Sequence, residues 1–259
     1  MSLKDLTNIK MATSLLIIIF FSSCSKDDNN DSGLGSIILP EKGETGIFID
    51  NRDGKTYKWV KIGDQVWMAE NLAYKGKDIQ YIPVGGRWFD NNECDGWCYY
   101  EDNPAYGTTY GVLYQWEAAK KSSPPGWHLP TIKEWRQLEN YLKENGYSCD
   151  GILGGENIAK SLTKDGNWKI SEEERAVGND DFPEYRDITG FSALPGGYRH
   201  DYGIGGIHFY FKNISAHWWS ATVKFRTEVY TCYLNYNESD LLFFSRQNET
   251  GCYVRCIKD

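Results

Sequence analysis

The amino-acid sequence predicts one α+β domain over residues 46–259, and three observations carry that prediction. Short β-type runs separated by turn signals come first, two helix-like segments follow them, and a series of strand-like runs ends the chain. No break in composition divides this region. We therefore expect N-terminal strands and a C-terminal antiparallel sheet with helices between them, and two domain ends that lie close together.

Three β-type runs open the predicted domain: Ile47–Ile49, Tyr57–Ile62 and Gln65–Met68. Turn-type sequences at 52–54 and 62–64, each of which contains a glycine, separate the runs. Short apolar runs on either side of such turns are typical of hairpins. The sequence therefore predicts an antiparallel meander.

The segment "YGVLYQWEAAKK" at 110–121 predicts the first helix. Four of its residues would share one apolar face: Val112, Leu113, Trp116 and Ala119. Residues 156–164, "ENIAKSLTK", predict a further short helix, which Asp165-Gly166 ends.

The stretch "PPGWHLPTIKEW" at 124–135 raises a choice between a catalytic patch and the start of a helix. His128 and Glu134 are residue types that serve as acid and base, but Thr131 and Glu134 also stand at the spacing of a capping box. Three apolar residues follow on one helix face: Trp135, Leu138 and Leu142. Asn145-Gly146 then provides a helix end. We predict a strand that leads into a helix, with structural roles for His128 and Glu134.

The last part of the chain predicts a sheet of short strands. Its strand-like segments are "FSALPGGYR", "IHFYFK", "HWWSATV", "EVYTCYLNY", "LLFFSR" and "CYVRCIKD". Turn-type residues separate them, and several short strands in succession are typical of an antiparallel sheet.

Residues 1–45 predict a lipoprotein leader and a tether outside the fold. The apolar run Leu15–Phe21 is too short to span a bilayer and is typical of a signal peptide. Cys24 follows small residues, as in a bacterial lipobox, so we expect removal of residues 1–23 and lipidation of Cys24. Residues 24–45 are then a flexible tether.

The polar and acidic run behind Cys24 resembles the surface-export signal of Bacteroidota lipoproteins. We expect a protein that its lipid holds in the outer membrane and that faces the cell exterior. Two alternatives remain open: a periplasmic face, and an ordinary secretory signal peptide with an incidental cysteine.

Charge and spacing argue against several classes of function. The net charge of −8 argues against nucleic-acid binding, which needs a basic surface. None of the 4 histidines stands at a zinc-binding spacing such as HExxH. The stretches "GGENIAKS" and "SLTK" lack the other residues of a phosphate-binding loop and of a penicillin-recognising enzyme. We therefore assign no catalytic residues and no metal-ligand residues.

The aromatic-rich loop at 85–107 is the candidate ligand site. Sugar rings stack on flat aromatic faces while their hydroxyls bind polar groups, and this loop mixes both kinds of side chain. The candidate ligand-binding residues are Trp88, Trp97, Tyr99, Tyr100, Asp102 and Asn103. The alternative is a long loop that packs its own aromatic rings. Calcium is retained as a candidate cofactor on the acidic stretches "YYEDNP" and "GNDD", although neither has EF-hand spacing; no other cofactor is expected.

The cysteines of an exported chain are candidates for disulfides. Cys94 and Cys98 are close enough in sequence to close a small loop. Cys232 and Cys252 would bond if they lay on neighbouring strands. The alternative is that several cysteines stay reduced as small buried apolar residues.

Several motifs occur in the order seen in one family: "DGKTYKWVKIGDQVWMAENLAY", "YGVLYQWEAA", "PPGWHLPTIKEWRQLE", "FSALPGGYR", "WWSAT" and "YVRCIKD". Together they resemble the Fibrobacter succinogenes major paralogous domain, found in lipoproteins of Bacteroidota and Fibrobacter, over about residues 46–259. A more distant likeness is to the C-type-lectin-like fold and its formylglycine-generating branch. The residues that carry it are Leu129, Pro130, Thr131, Glu134 and Trp135. The resemblance implies an α+β fold with two main helices, antiparallel strands and long irregular loops.

Two activities of these relatives are not carried over to this chain. The formylglycine-generating enzymes resemble copper enzymes with two nearby reactive cysteines, whereas Cys232 stands alone in the comparable region. The calcium lectins use sequence triplets that "EDNP" and "GNDD" match poorly. We therefore expect a non-catalytic, surface-exposed domain that binds glycan or another extracellular polymer. The alternatives are a divergent formylglycine-generating-type or glycan-processing enzyme, and an adhesin that contacts host protein.

Overall fold

Two five-stranded sheets and one three-stranded sheet, with short helices between them, make up the described part of the fold. The computed structural model describes residues 39–86, 88, 94–201 and 207–259. The expected signal peptide and Cys24 lie outside the described residues, so both remain predictions. Within the described ranges, no helix combines the length and the apolar character needed to cross a bilayer.

The secondary structure confirms the predicted α+β class. The strands are β1 (Thr45–Asp50), β2 (Lys55–Ile62), β3 (Gln65–Met68), β4 (Gln80–Tyr81), β5 (Gly96–Cys98), β6 (Leu113–Tyr114), β7 (Trp127–His128), β8 (Gly196–Asp201), β9 (Ile207–Lys212), β10 (Ser215–Phe225), β11 (Glu228–Asn235), β12 (Leu242–Gln247) and β13 (Ile257–Lys258). The helices are α1 (Pro104–Tyr110), α2 (Trp116–Ser122), α3 (Ile132–Glu144) and α4 (Ala159–Leu162), with short 3-10 helices at Tyr100–Asp102 and Pro183–Tyr185.

The predicted N-terminal meander is present as β1, β2 and β3, which pair antiparallel through short turns. Gly63 takes φ +60 in the second turn, a left-handed conformation that glycine adopts without steric cost. Strand β13 lies between β3 and β7, with Ile257 opposite both Trp67 and His128. The two ends of the domain therefore share one sheet, as the element order predicts.

The C-terminal strands form the second sheet in the order β12-β11-β10-β8-β9. Neighbouring strands are antiparallel, as expected, with one difference. Strands β10 and β8 run parallel, with Ala216 opposite Gly197. The sequence gives no signal for this pair, because β9 follows β8 in the chain and precedes β10, yet lies at the far edge of the sheet.

Thr131 and Glu134 form the predicted capping box at the start of α3. The Glu134 backbone N–H donates to Thr131 Oγ1 at 3.3 Å, and the Thr131 backbone N–H donates to Glu134 Oε2 at 2.7 Å. The helix ends at Glu144, with Asn145 as its C-cap and Gly146 at φ +81. The start and the end of α3 are therefore where local side-chain chemistry places them.

Trp135 fixes α3 in an aromatic core. Its ring centroid lies 4.6 Å from that of Trp67 on β3, 5.9 Å from that of Trp218 on β10, and 6.0 Å from that of Phe191. All four side chains are fully buried. Because burial of one large apolar side chain contributes about 1.5–3 kcal/mol, this cluster holds the helix against both large sheets.

Two predicted helices are shorter than expected. The segment 110–121 is divided, since the chain is extended in β6 before α2 begins. Gly111 at φ +81 ends α1 here, and an added Cβ would lie 2.7 Å from the Leu72 carbonyl oxygen. A contact with a distant part of the chain therefore overrides the helical spacing of the apolar residues. In the segment 156–164, only α4 is helical.

The folded part begins before residue 46. The Tyr147 hydroxyl donates to the Glu41 carbonyl oxygen at 3.0 Å, and the Lys61 backbone N–H donates to the Glu44 carbonyl oxygen at 2.8 Å. These bonds attach the end of the expected tether to the domain.

Candidate ligand-binding site

Three of the predicted sugar-stacking rings are buried. Trp88 is 1% exposed, and the guanidinium of Arg199 covers its ring at 4.1 Å. The indole N–H of Trp88 donates to the Glu249 carbonyl oxygen at 2.6 Å. Trp97 and Tyr100 are 8% and 4% exposed. These rings are therefore part of the core and offer no open face to a sugar; the alternative interpretation, a loop that packs its own aromatic rings, fits them.

The other predicted residues of this loop hold its backbone. Asn103 caps α1, with its Oδ1 accepting the Ala105 N–H at 3.0 Å. Asp102 Oδ2 accepts the backbone N–H of Val84. Tyr99 is half-buried. Among the described residues, no group of three or more His, Cys, Asp and Glu side chains is placed to hold a metal ion.

The cysteine side chains of the described residues are buried. Cys232 and Cys252 are free and buried, which corrects the predicted bond between them. Strand β10 separates their segments, because Trp218 pairs with Cys232 on one side and bridges to Tyr253 on the other. Burial raises the pKa of Cys252 to about 12. Cys94 and Cys98 are also buried, and their pairing stays a prediction.

His128 connects the cap of α3 to Asp259. Its Nδ1 lies 2.6 Å from Asp259 Oδ1, and its Nε2 lies 2.8 Å from Glu134 Oε1. Burial opposes protonation of His128, but the bonds to Glu134 and Asp259 outweigh it and raise the pKa of the imidazole. Burial also opposes ionisation of Glu134, but its bonds to Thr131 and His128 lower the pKa of that carboxyl. His128 and Glu134 thus form an ion pair that supports the helix start.

A cavity on the C-terminal sheet brings aromatic and polar side chains together. Its volume is about 250 Å³, slightly below the ~300 Å³ at the lower end of pockets for drug-sized ligands. The residues that line it are Phe211, Ile214, Ser215, His217, Tyr233, Asn235, Phe244 and Arg246. Six of them form i, i+2 pairs on β10, β11 and β12, which places each pair on one face of the sheet. The pairs are Ser215 with His217, Tyr233 with Asn235, and Phe244 with Arg246.

Two exposed phenylalanine rings flank the cavity. Phe211 is 48% exposed and Phe244 is 58% exposed. Phe211 takes φ +64, and Gly197 on the neighbouring strand takes φ +70. A positive φ is rare for a bulky residue and often marks a functional position. An added Cβ at Gly197 would lie 2.1 Å from the Tyr210 carbonyl oxygen, so this kink in the β8–β9 hairpin requires glycine.

Ser215, His217 and Arg246 form a hydrogen-bonded row along the floor. Arg246 Nη2 lies 3.4 Å from His217 Nδ1, and His217 Nε2 lies 2.8 Å from Ser215 Oγ. A guanidinium only donates, so Nδ1 accepts and Nε2 carries the proton that Ser215 Oγ accepts. Burial and the charge of Arg246 hold the pKa of His217 well below its usual value, so the ring stays neutral. The Ser215 hydroxyl therefore keeps its own proton to donate.

Arg246 lies over the Tyr198 ring, and no carboxylate of the described residues neutralises its charge. Its guanidinium lies 3.8 Å from the centroid of the Tyr198 ring, a cation–π distance. Four other described arginines each lie at ion-pair distance from a carboxylate: Arg52, Arg136, Arg175 and Arg186. Arg246 pairs with no carboxylate in that part of the chain, and its buried Nε–H has no hydrogen-bond partner. A ligand entering the cavity would meet this positive charge.

The sequence contains a signal for this cavity that residue types alone do not reveal. The segments "HWWSATV", "EVYTCYLNY" and "LLFFSR" are predicted strands, but their polar members are assigned no common site. In each of these three strands, residues at alternate positions are polar or aromatic, so they share one face of the sheet. A face that only packs on a core would carry apolar residues instead. Only the register, with Ser215 opposite Asn235 and His217 opposite Tyr233, brings them together.

Comparison with known proteins gives one family match. No curated protein and no solved structure is significantly similar to the chain. The model of the Fibrobacter succinogenes major domain matches residues 60–258. This range holds the capping box and the whole cavity, and it covers well over half of the chain. The chain belongs to the Fibrobacter succinogenes major domain family.

Proposed function

We propose that this chain is a non-catalytic binding protein that holds one ring of a glycan, or a comparable unit of another extracellular polymer, in the cavity on the C-terminal sheet. The observation that supports it most is the position of two exposed rings, Phe211 and Phe244, beside a polar floor. Sugars stack on aromatic faces and hydrogen-bond through their hydroxyls. A cavity of about 250 Å³ suits a single ring rather than a long oligomer.

The Ser215–His217 pair supports binding over hydrolysis. Its 2.8 Å distance lies within the range of a nucleophile and its base. A general base, however, needs a free lone pair on the nitrogen that faces the serine, and an orienting carboxylate on the other nitrogen. Here Arg246 faces Nδ1 and selects the opposite tautomer. A protonated His217 would also lie 3.4 Å from a guanidinium, so the alternative of a glycan-processing enzyme has the weaker support.

The test compares two exposed phenylalanines. Phe244 lines the cavity, whereas Phe225, which is 62% exposed, lies outside it on β10. The full chain, purified in detergent, is applied to a glycan array with and without calcium. Replacing Phe244 by alanine should weaken binding about two- to tenfold, since one aromatic contact contributes about 0.5–1.5 kcal/mol. Phe225→Ala should leave it unchanged. A protein that binds no glycan in either condition would contradict the proposal, and an equal loss in both variants would assign binding to another surface.

We further propose that lipid on Cys24 anchors the protein in the outer membrane with the cavity outside the cell. The support is the lipobox-like sequence and the polar run behind it. Intact-mass spectrometry should find acyl mass on a mature N-terminus at Cys24 and none in Cys24→Ser. Protease treatment of intact cells should cleave the domain. A mature N-terminus further along the chain, without acyl mass, contradicts the anchor, and full protection from protease contradicts the outward face.

A further inference from the structure

We infer that the cavity selects a sugar that carries a carboxylate, such as a uronic or sialic acid, through Arg246. This inference rests on the proposed function and adds the ligand's charge to it. Arg246 is half-buried and faces a cavity, while four other arginines of the described chain lie against carboxylates. A cation kept without a counter-charge inside a cleft attracts an anionic ligand.

The surroundings of Arg246 pre-organise it for a carboxylate. The guanidinium lies 3.8 Å from the centroid of the Tyr198 ring, and its bond to His217 uses one Nη2 donor. The Nε–H is buried and has no hydrogen-bond partner among the described residues, so a ligand would reach the terminal Nη groups instead. A planar guanidinium with free donors binds a carboxylate through charge-assisted bonds, often two in parallel. Since His217 is a neutral acceptor in this row, it leaves the positive charge of Arg246 in place.

The rest of the cavity fits the ring that would carry this carboxylate. Phe211 and Phe244 offer apolar faces to the ring. Ser215 has a hydroxyl proton to donate. Asn235 Oδ1 already accepts the Tyr236 N–H at 2.9 Å, so the Asn235 amide offers mainly its NH₂ group, and both residues suit the oxygens of sugar hydroxyls. The groups that line the cavity therefore match an acidic sugar at the carboxylate, at the ring face and at the hydroxyls.

The position of the cavity favours a sugar over the C-terminus of a peptide. Peptides often bind by adding a strand to a sheet edge through main-chain hydrogen bonds. This cavity instead crosses the face of β10, β11 and β12, where the ladder already pairs the main chains of the three strands. A peptide there would find side chains alone, whereas a sugar ring needs no main-chain partner.

The test uses each acidic sugar with its neutral counterpart. The full chain in detergent is titrated by calorimetry with short oligosaccharides of galacturonate, glucuronate, mannuronate and sialate, and with their carboxyl-reduced forms. At least one acidic oligosaccharide should bind ten times or more tightly than its reduced form. Arg246→Gln should remove that preference, so that the acidic and the reduced form bind with equal, weak affinity. Arg226 is exposed and lies outside the cavity. Arg226→Gln removes the same charge and should change neither the affinity for the acidic form nor that for the reduced form.

Each outcome decides one proposal or both. Equal binding of acidic and reduced forms, with no effect of Arg246→Gln, overturns the charge preference and leaves glycan binding in place. No binding of any of these oligosaccharides overturns the charge preference, and an absence of binding on the glycan array as well overturns the proposed function. Tight binding of a short peptide with a free C-terminus, lost in Arg246→Gln, would assign the arginine to a different class of ligand. Thermal unfolding of both variants verifies that the fold is intact.

Discussion

The ion pair and cap at Glu134 give the sharpest stability prediction. Glu134 accepts bonds from the Thr131 N–H at 2.7 Å, the Thr131 hydroxyl at 2.8 Å and His128 at 2.8 Å. Glu134→Ala removes all three. The two bonds to Thr131, which cap the helix, contribute about 1 kcal/mol to the free energy of unfolding. The pair with His128, whose side chain is 38% exposed, contributes about 0.5–1 kcal/mol after solvent screening.

Loss of both the cap and the pair with His128 should lower the free energy of unfolding of Glu134→Ala by about 1.5–2 kcal/mol. For a domain of about 150–250 residues, each kcal/mol moves the melting temperature by about 2–4 °C. Glu134→Ala should therefore melt about 3–8 °C below the parent protein. Urea unfolding measures the same difference at constant temperature. His128→Gln keeps the cap and removes the pairs with both Glu134 and Asp259, so it should lose about 0.5–1.5 kcal/mol.

The loss in His128→Gln should depend on pH, and the direction follows from the two pKa shifts. The folded-state pKa of His128 is raised, so its contribution is full below the unfolded value of about 6.5 and is lost as pH rises through the folded value. The folded-state pKa of Glu134 is lowered, so its contribution is lost only as pH falls through that lower value. The difference in the free energy of unfolding between the parent protein and His128→Gln should be largest near pH 6 and should shrink toward pH 9. An equal difference in unfolding free energy at pH 6 and at pH 9 would refute the ion pair. An unchanged unfolding free energy in Glu134→Ala would refute the capping box.

Three further predictions concern buried groups. Lys160 is fully buried and forms an ion pair with Asp181, so Lys160→Ala should lower the free energy of unfolding in urea by about 3–5 kcal/mol. A loss below about 1 kcal/mol would contradict a stabilising role for this pair. Gly197→Ala should be destabilising by well over the ~1–2 kcal/mol expected for Gly54→Ala, because both take a positive φ but only Gly197 would bring its Cβ against a carbonyl oxygen. Cys232 is buried, and burial raises the pKa of its thiol, so iodoacetamide should modify it only after unfolding; modification in the native protein, seen by mass spectrometry, would contradict its burial.

Elements with local signals could be predicted from the sequence. The meander follows from glycine turns, and α3 follows from Thr131, Glu134 and Asn145, because the atoms that decide these features are a few residues apart. The segment 110–121 could not be predicted in the same way. Gly111 breaks its helical pattern to fit the carbonyl oxygen of Leu72, which is distant in sequence.

The candidate site was harder to predict than the fold, because exposure depends on the whole structure. Trp88 and Phe244 are both aromatic residues near polar ones in the sequence, yet one is 1% exposed and the other 58%. Tertiary structure causes this difference in exposure, because Arg199 covers Trp88 whereas Phe244 lies on the edge strand β12. Aromatic content can suggest sugar binding, but it cannot say which rings have a free face.

The position of the cavity also determines what mutation can change. Thr131, Glu134 and Trp135 hold a helix end and a buried ring, so a substitution there changes the stability of the domain. Phe244 and Arg246 are partly exposed on an edge strand, and most of their replacements should cost less than about 1 kcal/mol. Ligand preference can therefore change at these two positions while the fold is kept. It follows that a loss of binding in Phe244→Ala or Arg246→Gln can be assigned to the cavity, provided that the melting temperature is unchanged.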